Sequence, residues 1–589
     1  MNTKEFFSDY SHSSKKVDVP ICDIPDDVDT LVFGGINVIY HCNKSRHETF
    51  SNIKQIILKD GDYLLQISNK NFPNVEWVES ENPSYLSGKY LVMKDKLLNT
   101  FLQTPDTVID MKGIKHIDYD AFVGCKAKRL IHDEDLCDTY FASTFKESGF
   151  LENKPVNGKI KAGRIVIKLD PNADKVLIND PGEVFALDVT INGEDRERAA
   201  QIRDLIIDAK DSISAIRSKV LESGFKSMIF RNFKREELRM ISFFSSRYSY
   251  CLTKNIVLEN CSGYQTIDGL LYEERPEGLT LLKCPVYHDK EVRLPDNCVG
   301  IESYAFLDVK SVESVFIPKA VTDIRANAFH RCQLKSITFE EGSNLKCIEP
   351  CCFEGCVALE KVILPSKIEM ICCDAFKDCQ KLHTMILPEG LRKIRTDAFY
   401  KCNSLKEIAF PDSLQEIQEN FDWPVEKITV KNCIPNELFT SLITPCIGYV
   451  KNSFLEISSS DKHIFLPKMM SNPKIEFLES SISFKRLFED IYKLRPFYSY
   501  GKTPEIKQDV AFQEFKAGDK KVEKYLRKSS QAIVSRYMEN QQINDVAFLI
   551  KHQLLSRSAI EDLKKINRDT TIAAYLVNDR GTDNPGFSL

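Results

Sequence analysis

The chain has 589 residues, of which 43% are hydrophobic and 28% are charged, and its formal net charge is -5. These values are ordinary for a soluble protein with extended apolar cores. Lys and Arg are interspersed with Asp and Glu, so the sequence lacks the basic blocks that bind nucleic-acid phosphates. No window approaches the roughly 18 uncharged apolar residues of a membrane span. We therefore expect neither a nucleic-acid partner nor a membrane span.

The N-terminal residues also bear on location. The first twenty residues, MNTKEFFSDYSHSSKKVDVP, contain no apolar run of signal-peptide length. The nineteen cysteines are odd in number and lack the framework spacing of a small secreted module. Together these features predict a cytoplasmic protein.

Residues 1–153 are interpreted as degenerate repeats. IKQIIL around Ile56 and VEWV around Trp77 have the alternation of strands with one buried face, and IKHIDYDAFVGC ends in Ala121-Phe122 and Cys125. Between them, NPSYLSGKYLVMKDKLLNTFLQTP has the turn and strand pattern of a β-hairpin. A parallel pattern recurs at residues 261–285, so we expect a hairpin in each of two repeat segments.

Residues 154–256 do not read as repeats and are interpreted as an insertion. RIVIKL and KVLIND are typical of strands, whereas EDRERAAQIRDLIIDAKDSISAIRSKVLESG has helix boundary signals at both ends. Its apolar positions alternate in steps of three and four: Ala199, Ile202, Ile206, Ala209, Ile213, Ile216 and Val220. This seam of three heptads suggests a homo-oligomer held through Ile202, Ile206, Ile213 and Ile216. The favoured alternative is a helix that packs on neighbouring repeats, because three heptads with two alanines are marginally stable alone.

Residues 257–480 contain the clearest pattern, five copies of one motif between 294 and 421. Each copy has a triad of the form L-x-x-I-x-F/L, then in most copies a proline, a second apolar pair and Ala-Phe or a close variant. The phenylalanines recur every 23 or 24 residues: Phe306, Phe329, Phe353, Phe376 and Phe399. A period this short predicts one coil of a solenoid per copy, with a short strand in each coil.

This motif resembles the BspA-like leucine-rich repeats, whose unit reads L-x-x-I-x-I-P-x-x-V-x-x-I-x-x-x-A-F-x-x-C. The trailing cysteines keep the same register: Cys332, Cys356, Cys379 and Cys402. The resemblance implies a leucine-rich-repeat β-solenoid and, as its best-known role, a cell-surface adhesin. That role conflicts with the cytoplasmic location that the N-terminus predicts, so export by an unrecognised route stays open as the alternative.

Residues 481–589 are predicted to form an α-helical C-terminal domain. Short amphipathic segments such as DVAFQEFKAG and KKVEKYLRKSSQAIVSRYMEN are joined by two to five residues. Such helices stack as antiparallel pairs, similar to ankyrin or HEAT units. The whole chain is therefore expected to be α+β: a BspA-like solenoid with an inserted helical segment and a helical C-terminal domain.

The sequence offers no catalytic or cofactor motif. It has no G-x-G-x-x-G after a strand, no H-E-x-x-H and no G-x-S-x-G. Seven cysteines fall in two adjacent coils, from Cys347 to Cys379, but without the paired C-x-x-C knuckles of zinc sites. We expect no enzyme, no metal and no cofactor, and any catalytic site would have to lie in 154–256.

The remaining hypothesis is a binding surface made of the outward residues of the repeat strands. One outward column is more apolar than is usual for a face exposed to solvent. A contiguous exposed apolar surface often marks a partner site. The candidate partner-binding residues are Phe316, Thr338, Ile363, Ile386, Ala409 and Lys361, together with Trp77 in the N-terminal segment. The sequence thus predicts a non-enzymatic protein-interaction scaffold, with an adhesin or a self-associating structural protein as alternatives.

Overall fold

The structure is a computed structural model, and it describes a defined set of residues. These are 2–6, 16–42, 49–67, 69–101, 103–137, 142–180, 182–185, 203–208, 224–240, 253–418, 425–431, 454–460, 462–468, 470, 491–566 and 569–578. The chain divides into two compact units, Met1–Glu274 with Lys283–His288 and Arg275–Leu282 with Asp289–Leu589. Each unit is described by itself.

The first unit begins with a mainly parallel sheet. Its strands are β1 (Thr3–Phe6), β2 (Val17–Ile21), β3 (Thr30–Cys42), β4 (Gln55–Gln66) and β5 (Trp77–Ser80). They are ordered β1-β3-β4-β5, with β2 also paired to β3. Inward residues such as Leu31, Ile56 and Val78 occupy the same register position and are fully buried. β4 and β5 confirm the strands predicted around Ile56 and Trp77.

The predicted hairpin follows. β6 (Tyr85–Leu86), β7 (Leu91–Met93) and β8 (Lys96–Asn99) pair antiparallel in sequence order. The chain then returns to parallel pairing through β9 (Val108–Asp110), β10 (His116–Ile117) and β11 (Arg129–Ile131). Two 3-10 turns, Ala142–Phe145 and Gly149–Glu152, place Phe145 and Phe150 against Phe122.

The described part of residues 154–260 is mostly strand. It contains β12 (Lys159–Ala162), β13 (Ile165–Leu169), β14 (Lys175–Ile178), β15 (Val184–Phe185), β16 (Asp204–Asp208), β17 (Phe225–Arg231), β18 (Thr253–Glu259) and helix α1 (Arg235–Met240). β13 and β14 confirm the strands predicted in RIVIKL and KVLIND. β14, β16, β17 and β18 form a parallel sheet in that order.

The prediction of a long helix with a heptad seam is wrong for the residues of this segment that the structure describes. Residues 204–208 form β16, and Ile206 pairs in register with Leu177 and Ile229. DLIID is a run of β-branched and leucine side chains, and burial of Leu205 and Ile207 between neighbouring strands overrides the weak helical seam. Ile202, Ile213 and Ile216 lie outside the described residues.

The first unit closes with a second hairpin, and the second unit begins with the next strand. β19 (Tyr264–Ile267) and β20 (Leu270–Arg275) pair antiparallel, which confirms the hairpin predicted at residues 261–285. β21 (Gly278–Lys283) pairs parallel with β23 (Cys298–Ile301), and β23 pairs with β25 (Asp323–Ile324).

The repeat coils of the second unit supply strands to two parallel sheets. One sheet contains β22 (Glu291–Arg293), β24 (Ser314–Ile317), β26 (Ser336–Phe339), β28 (Lys361–Ile363) and β30 (Thr384–Ile386). The other contains β27 (Cys347–Ile348), β29 (Met370–Ile371), β31 (Lys393–Ile394) and β33 (Glu416–Ile417). Each short strand buries one apolar column, so the coils are stabilised by stacking on one another.

Two further columns fill the interior of these coils. The five phenylalanines of the repeat are fully buried and stack with centroid separations of 4.5, 5.0, 5.1 and 5.5 Å. The sulfurs of Cys356, Cys379 and Cys402 each lie 3.1 to 3.2 Å from a phenylalanine carbonyl oxygen of the preceding coils. The repeated cysteine therefore adds a second, weak hydrogen bond to a carbonyl oxygen that already accepts a backbone N–H, and it fills a small apolar space.

The repeats end in a sheet of β32 (Glu407–Phe410), β34 (Lys427–Val430), β35 (Phe454–Ser459) and β36 (Lys462–Pro467). The described residues that follow include the helices α2 (Pro504–Lys516), α3 (Glu523–Glu539), α4 (Ile543–Lys551), α5 (Arg557–Ile566) and α6 (Thr570–Asn578), with 3-10 turns at Tyr498–Tyr500 and Lys520–Val522. Their shared core includes Phe512, Ile533 and Leu549. The predicted fold class, a repeat solenoid with a helical C-terminal region, is confirmed.

Within the described ranges, no helix combines the length and apolar character needed to cross a bilayer.

Candidate functional site

The candidate site is the outer side of the strands β22, β24, β26, β28, β30 and β32, which we call the strand face. Every second residue of each strand points away from the core, because side chains of a β-strand alternate. Two columns result: Glu291, Ser314, Ser336, Lys361, Thr384 and Glu407 form one, and Arg293, Phe316, Thr338, Ile363, Ile386 and Ala409 form the other.

Ile363 and Ile386 are the apolar centre of the strand face. They are direct register partners on β28 and β30, and they are 49% and 47% exposed. Their strand neighbours Val362 and Met385 point inward and are buried. The outward isoleucines therefore contribute nothing to the core and leave apolar area available to a partner.

Phe316 does not extend this apolar centre as predicted. It is half-buried, and the guanidinium carbon of Arg293 lies 4.0 Å from its ring centroid, a cation–π arrangement. Its register partner on the other side is Thr338, and the β26–β28 ladder pairs at Ser336 and Lys361. The predicted apolar column is thus interrupted by the hydroxyl of Thr338, and the guanidinium of Arg293 covers it at one end.

The coil before the first recognised copy explains that error. Arg293 stands in VRLP, one coil before the first copy of the motif, and occupies the outward position of strand β22. Because the register continues through this coil, Arg293 lies beside Phe316.

Charged and small residues border the two isoleucines. Lys361 and Ala409 are exposed, as is Thr338, so each lies where the alternation predicted. Lys361 and Glu407 also project outward, and within the described ranges neither has an ion-pair partner. The strand face between β28 and β32 therefore presents an apolar centre with one cation and one anion beside it.

Trp77 is exposed as predicted but belongs to the first unit. It lies on β5, the last strand of its sheet, and is 46% exposed with Gln55 as its register partner. It is therefore a separate candidate on the first unit.

The cysteine-rich coils hold a contact that the sequence interpretation missed. The sulfurs of Cys347 and Cys372 are 3.4 Å apart across neighbouring coils. Cys347 stands one residue before the buried Ile348, and Cys372 one residue after its register partner Ile371, so aligning the coils would have found the pair. Burial raises the pKa of Cys332 to about 12 and raises that of Cys356 well above its ordinary value.

In the part of the chain that the structure describes, no three His, Cys, Asp or Glu side chains converge as a metal-ion site.

A family comparison identifies the repeat region. Residues 290–423 match the family described as "BspA type Leucine rich repeat region" in six copies. The resemblance seen in the motif is confirmed for this region, which is a BspA-type leucine-rich repeat region. No curated protein matches the chain in sequence.

Several solved structures are similar to the chain. A leucine rich cell surface protein from Faecalibacterium prausnitzii has 18% identity over 57% of this chain and 86% of its own, with a TM-score of 0.32. A leucine-rich repeat protein from Eubacterium ventriosum has 13% identity over 68% and 84%, with a TM-score of 0.26. The pneumococcal vaccine antigen PcpA has 11% identity over 80% and 88%, with a TM-score of 0.25.

Proposed function

We propose that this chain, which carries a BspA-type leucine-rich repeat region at residues 290–423, is a non-enzymatic scaffold that binds a partner protein through the strand face. The observation that carries the proposal is the adjacent, half-exposed pair Ile363 and Ile386. A rigid parallel sheet holds both side chains at fixed spacing, so little conformational entropy is lost when a partner covers them.

The composition of the strand face indicates what the partner must present. Apolar side chains would cover the two isoleucines, and a carboxylate would pair with Lys361. Burial of large apolar side chains at the centre of an interface supplies most of the binding energy, while charges at its border set orientation and association rate. Glu407 would repel an acidic group of the partner beside Ala409. The partner surface would therefore be acidic only at the end that contacts Lys361.

Site-specific photo-crosslinking tests this proposal. A photoreactive amino acid would be placed at Ile386 in the full chain and, as a matched control, at the exposed Thr396 of the same coil. We expect one host protein to be crosslinked from position 386 and not from position 396. Equal adducts from both positions, or none from position 386, would contradict the proposal.

A cytoplasmic location is part of the proposal. Protease added to intact host cells is expected to leave the protein undigested, whereas lysed cells would lose it. Digestion on intact cells would instead support the surface-adhesin alternative.

A further inference from the structure

We propose that Cys347 and Cys372 are a redox modification site, at which a hydroperoxide oxidises the two thiols to a disulfide that joins neighbouring coils. This inference is independent of the proposed function. It begins with the short contact between the two sulfurs, which are 3.4 Å apart although the residues are 25 positions apart in sequence.

The fold explains why the sulfurs meet. Ile348 and Ile371 are register partners in the parallel sheet of β27 and β29, and both are fully buried. Cys347 precedes the first isoleucine and Cys372 follows the second, so both thiols point to the outer side and lie diagonally across the ladder. A disulfide has an S–S length of about 2.05 Å, so the sulfurs need to approach by about 1.4 Å. Diagonal residues of neighbouring strands have Cα atoms about 7–8 Å apart, beyond the usual disulfide span of about 4.4–6.8 Å, so the two coils must also shift towards each other.

The surroundings favour the Cys372 thiolate. The Cys347 thiol can donate a hydrogen bond to its sulfur, and the neighbouring Arg395 adds a positive charge. These two effects lower the pKa of Cys372, although burial and Glu349 oppose them. The pKa of Cys347 is raised, mainly because its thiol hydrogen-bonds to Cys372. Cys372 is therefore the nucleophile and Cys347 the resolving thiol.

A small oxidant has access to the Cys347 side of the pair, whereas Cys372 is 9% exposed and does not line the cleft that borders Cys347. Cys347 borders an open cleft of about 370 Å³, which is also lined by Lys346, Glu349 and Lys367. By contrast, the repeat cysteines such as Cys356 and Cys379 are fully buried and hydrogen-bond to carbonyl oxygens. The cleft beside Cys347 therefore distinguishes this pair from the fully buried cysteines of the repeat.

The reaction balances with one hydroperoxide. The Cys372 thiolate attacks a peroxide oxygen, the O–O bond breaks, and the leaving oxygen takes a proton, which gives a sulfenic acid and, from hydrogen peroxide, water. The Cys347 sulfur then attacks the sulfenic sulfur, the S–O bond breaks, and the hydroxyl leaves with the Cys347 proton as a second water. Two thiol sulfurs are oxidised and one peroxide is reduced. The closed loop contains β28, and with it Ile363.

The test uses the reduced full chain and hydrogen peroxide. After oxidation and alkylation, non-reducing peptide mapping is expected to show a link between the peptides that carry Cys347 and Cys372. The Cys372 thiol should disappear at least about tenfold faster than the exposed Cys373 thiol, because its thiolate is stabilised. The matched control C373S should behave like the wild-type chain.

Single variants separate the two roles. C347S is expected to stop at a sulfenic acid on Cys372, which dimedone traps, whereas C372S should form neither product at this site. Circular dichroism would check that both variants are folded. A link that persists in C372S, or equal oxidation rates of Cys372 and Cys373, would overturn the inference.

Discussion

The BspA-type repeats and the stretch from residue 154 to 260 both stack parallel strands, but they are held together differently. In the repeats, each coil places the same residue type at the same position, as in the stack of five buried phenylalanines. In the other stretch, β14, β16, β17 and β18 begin at irregular intervals, and the interior includes the buried pair Lys159 and Glu183. Stacked parallel strands therefore do not require a periodic sequence.

The largest effect is expected from breaking the phenylalanine stack. Phe353 packs between Phe329 and Phe376, so Phe353→Ala leaves a cavity between two coils and should cost about 3–5 kcal/mol. Urea unfolding followed by circular dichroism measures the loss. An effect below about 1 kcal/mol would mean that the coils do not depend on this column.

The second expected effect concerns the irregular stretch. The Nζ of Lys159 lies 2.5 Å from Glu183 Oε2, and their side chains are 1% and 3% exposed. Glu183→Gln leaves the buried ammonium without its anion and should destabilise this segment by about 3 kcal/mol, since breaking a buried ion pair is strongly unfavourable. Native-state hydrogen exchange of residues 159–185 measures it locally.

The control for that variant is Glu152→Gln. Glu152 pairs with Lys128 at the surface, where its side chain is 69% exposed, so no measurable change is expected. Equal protection in both variants would show that the buried pair does not hold this segment.

The third comparison uses two glycines with the same φ of +74°. A Cβ at Gly158 would lie 2.2 Å from the Lys175 carbonyl oxygen, whereas at Gly355 it would meet the flexible Arg331 side chain. Gly158→Ala should therefore cost clearly more than Gly355→Ala, for which the left-handed conformation alone predicts about 1–2 kcal/mol. Thermal unfolding of both variants tests the order, and a reversed order would contradict it.

The smallest effect is expected at the cysteine column. Cys356→Ala removes the sulfur that contacts the Phe329 carbonyl oxygen and leaves a small void, so we expect a loss of about 1 kcal/mol. Cys373→Ala, at an exposed thiol of the next coil, is the control and should leave the urea midpoint unchanged. A Cys356→Ala variant as stable as the wild-type chain would show that the column has no structural role.

These contrasts explain what the sequence could predict. The triads, Ala-Phe and cysteine repeat several times, so each copy tests the others, and the fold of this region followed from spacing alone. β16 was misassigned because Ile202, Ile206 and Ala209 fit a helical seam within one segment, while the partners that make Ile206 a strand residue come from distant Leu177 and Ile229. No local pattern contains that information.

For the candidate site, the sequence predicted which side chains are exposed but not which coils lie in contact. Alternation placed Ile363, Ile386 and Trp77 on the surface, because exposure depends on the period of a strand. It could not show that Arg293 covers Phe316 or that Cys347 meets Cys372, since both contacts depend on which coil lies beside which.

The most direct test of the central claim is the amount of partner retained by the double variant I363E/I386E in affinity capture from host lysate. The wild-type chain and T396E/N403E, which carries the same charges at two exposed positions off the strand face, are the references. With circular dichroism unchanged, we predict that the partner crosslinked from position 386 is lost from I363E/I386E and kept by both references. Equal retention by all three would contradict binding through the strand face.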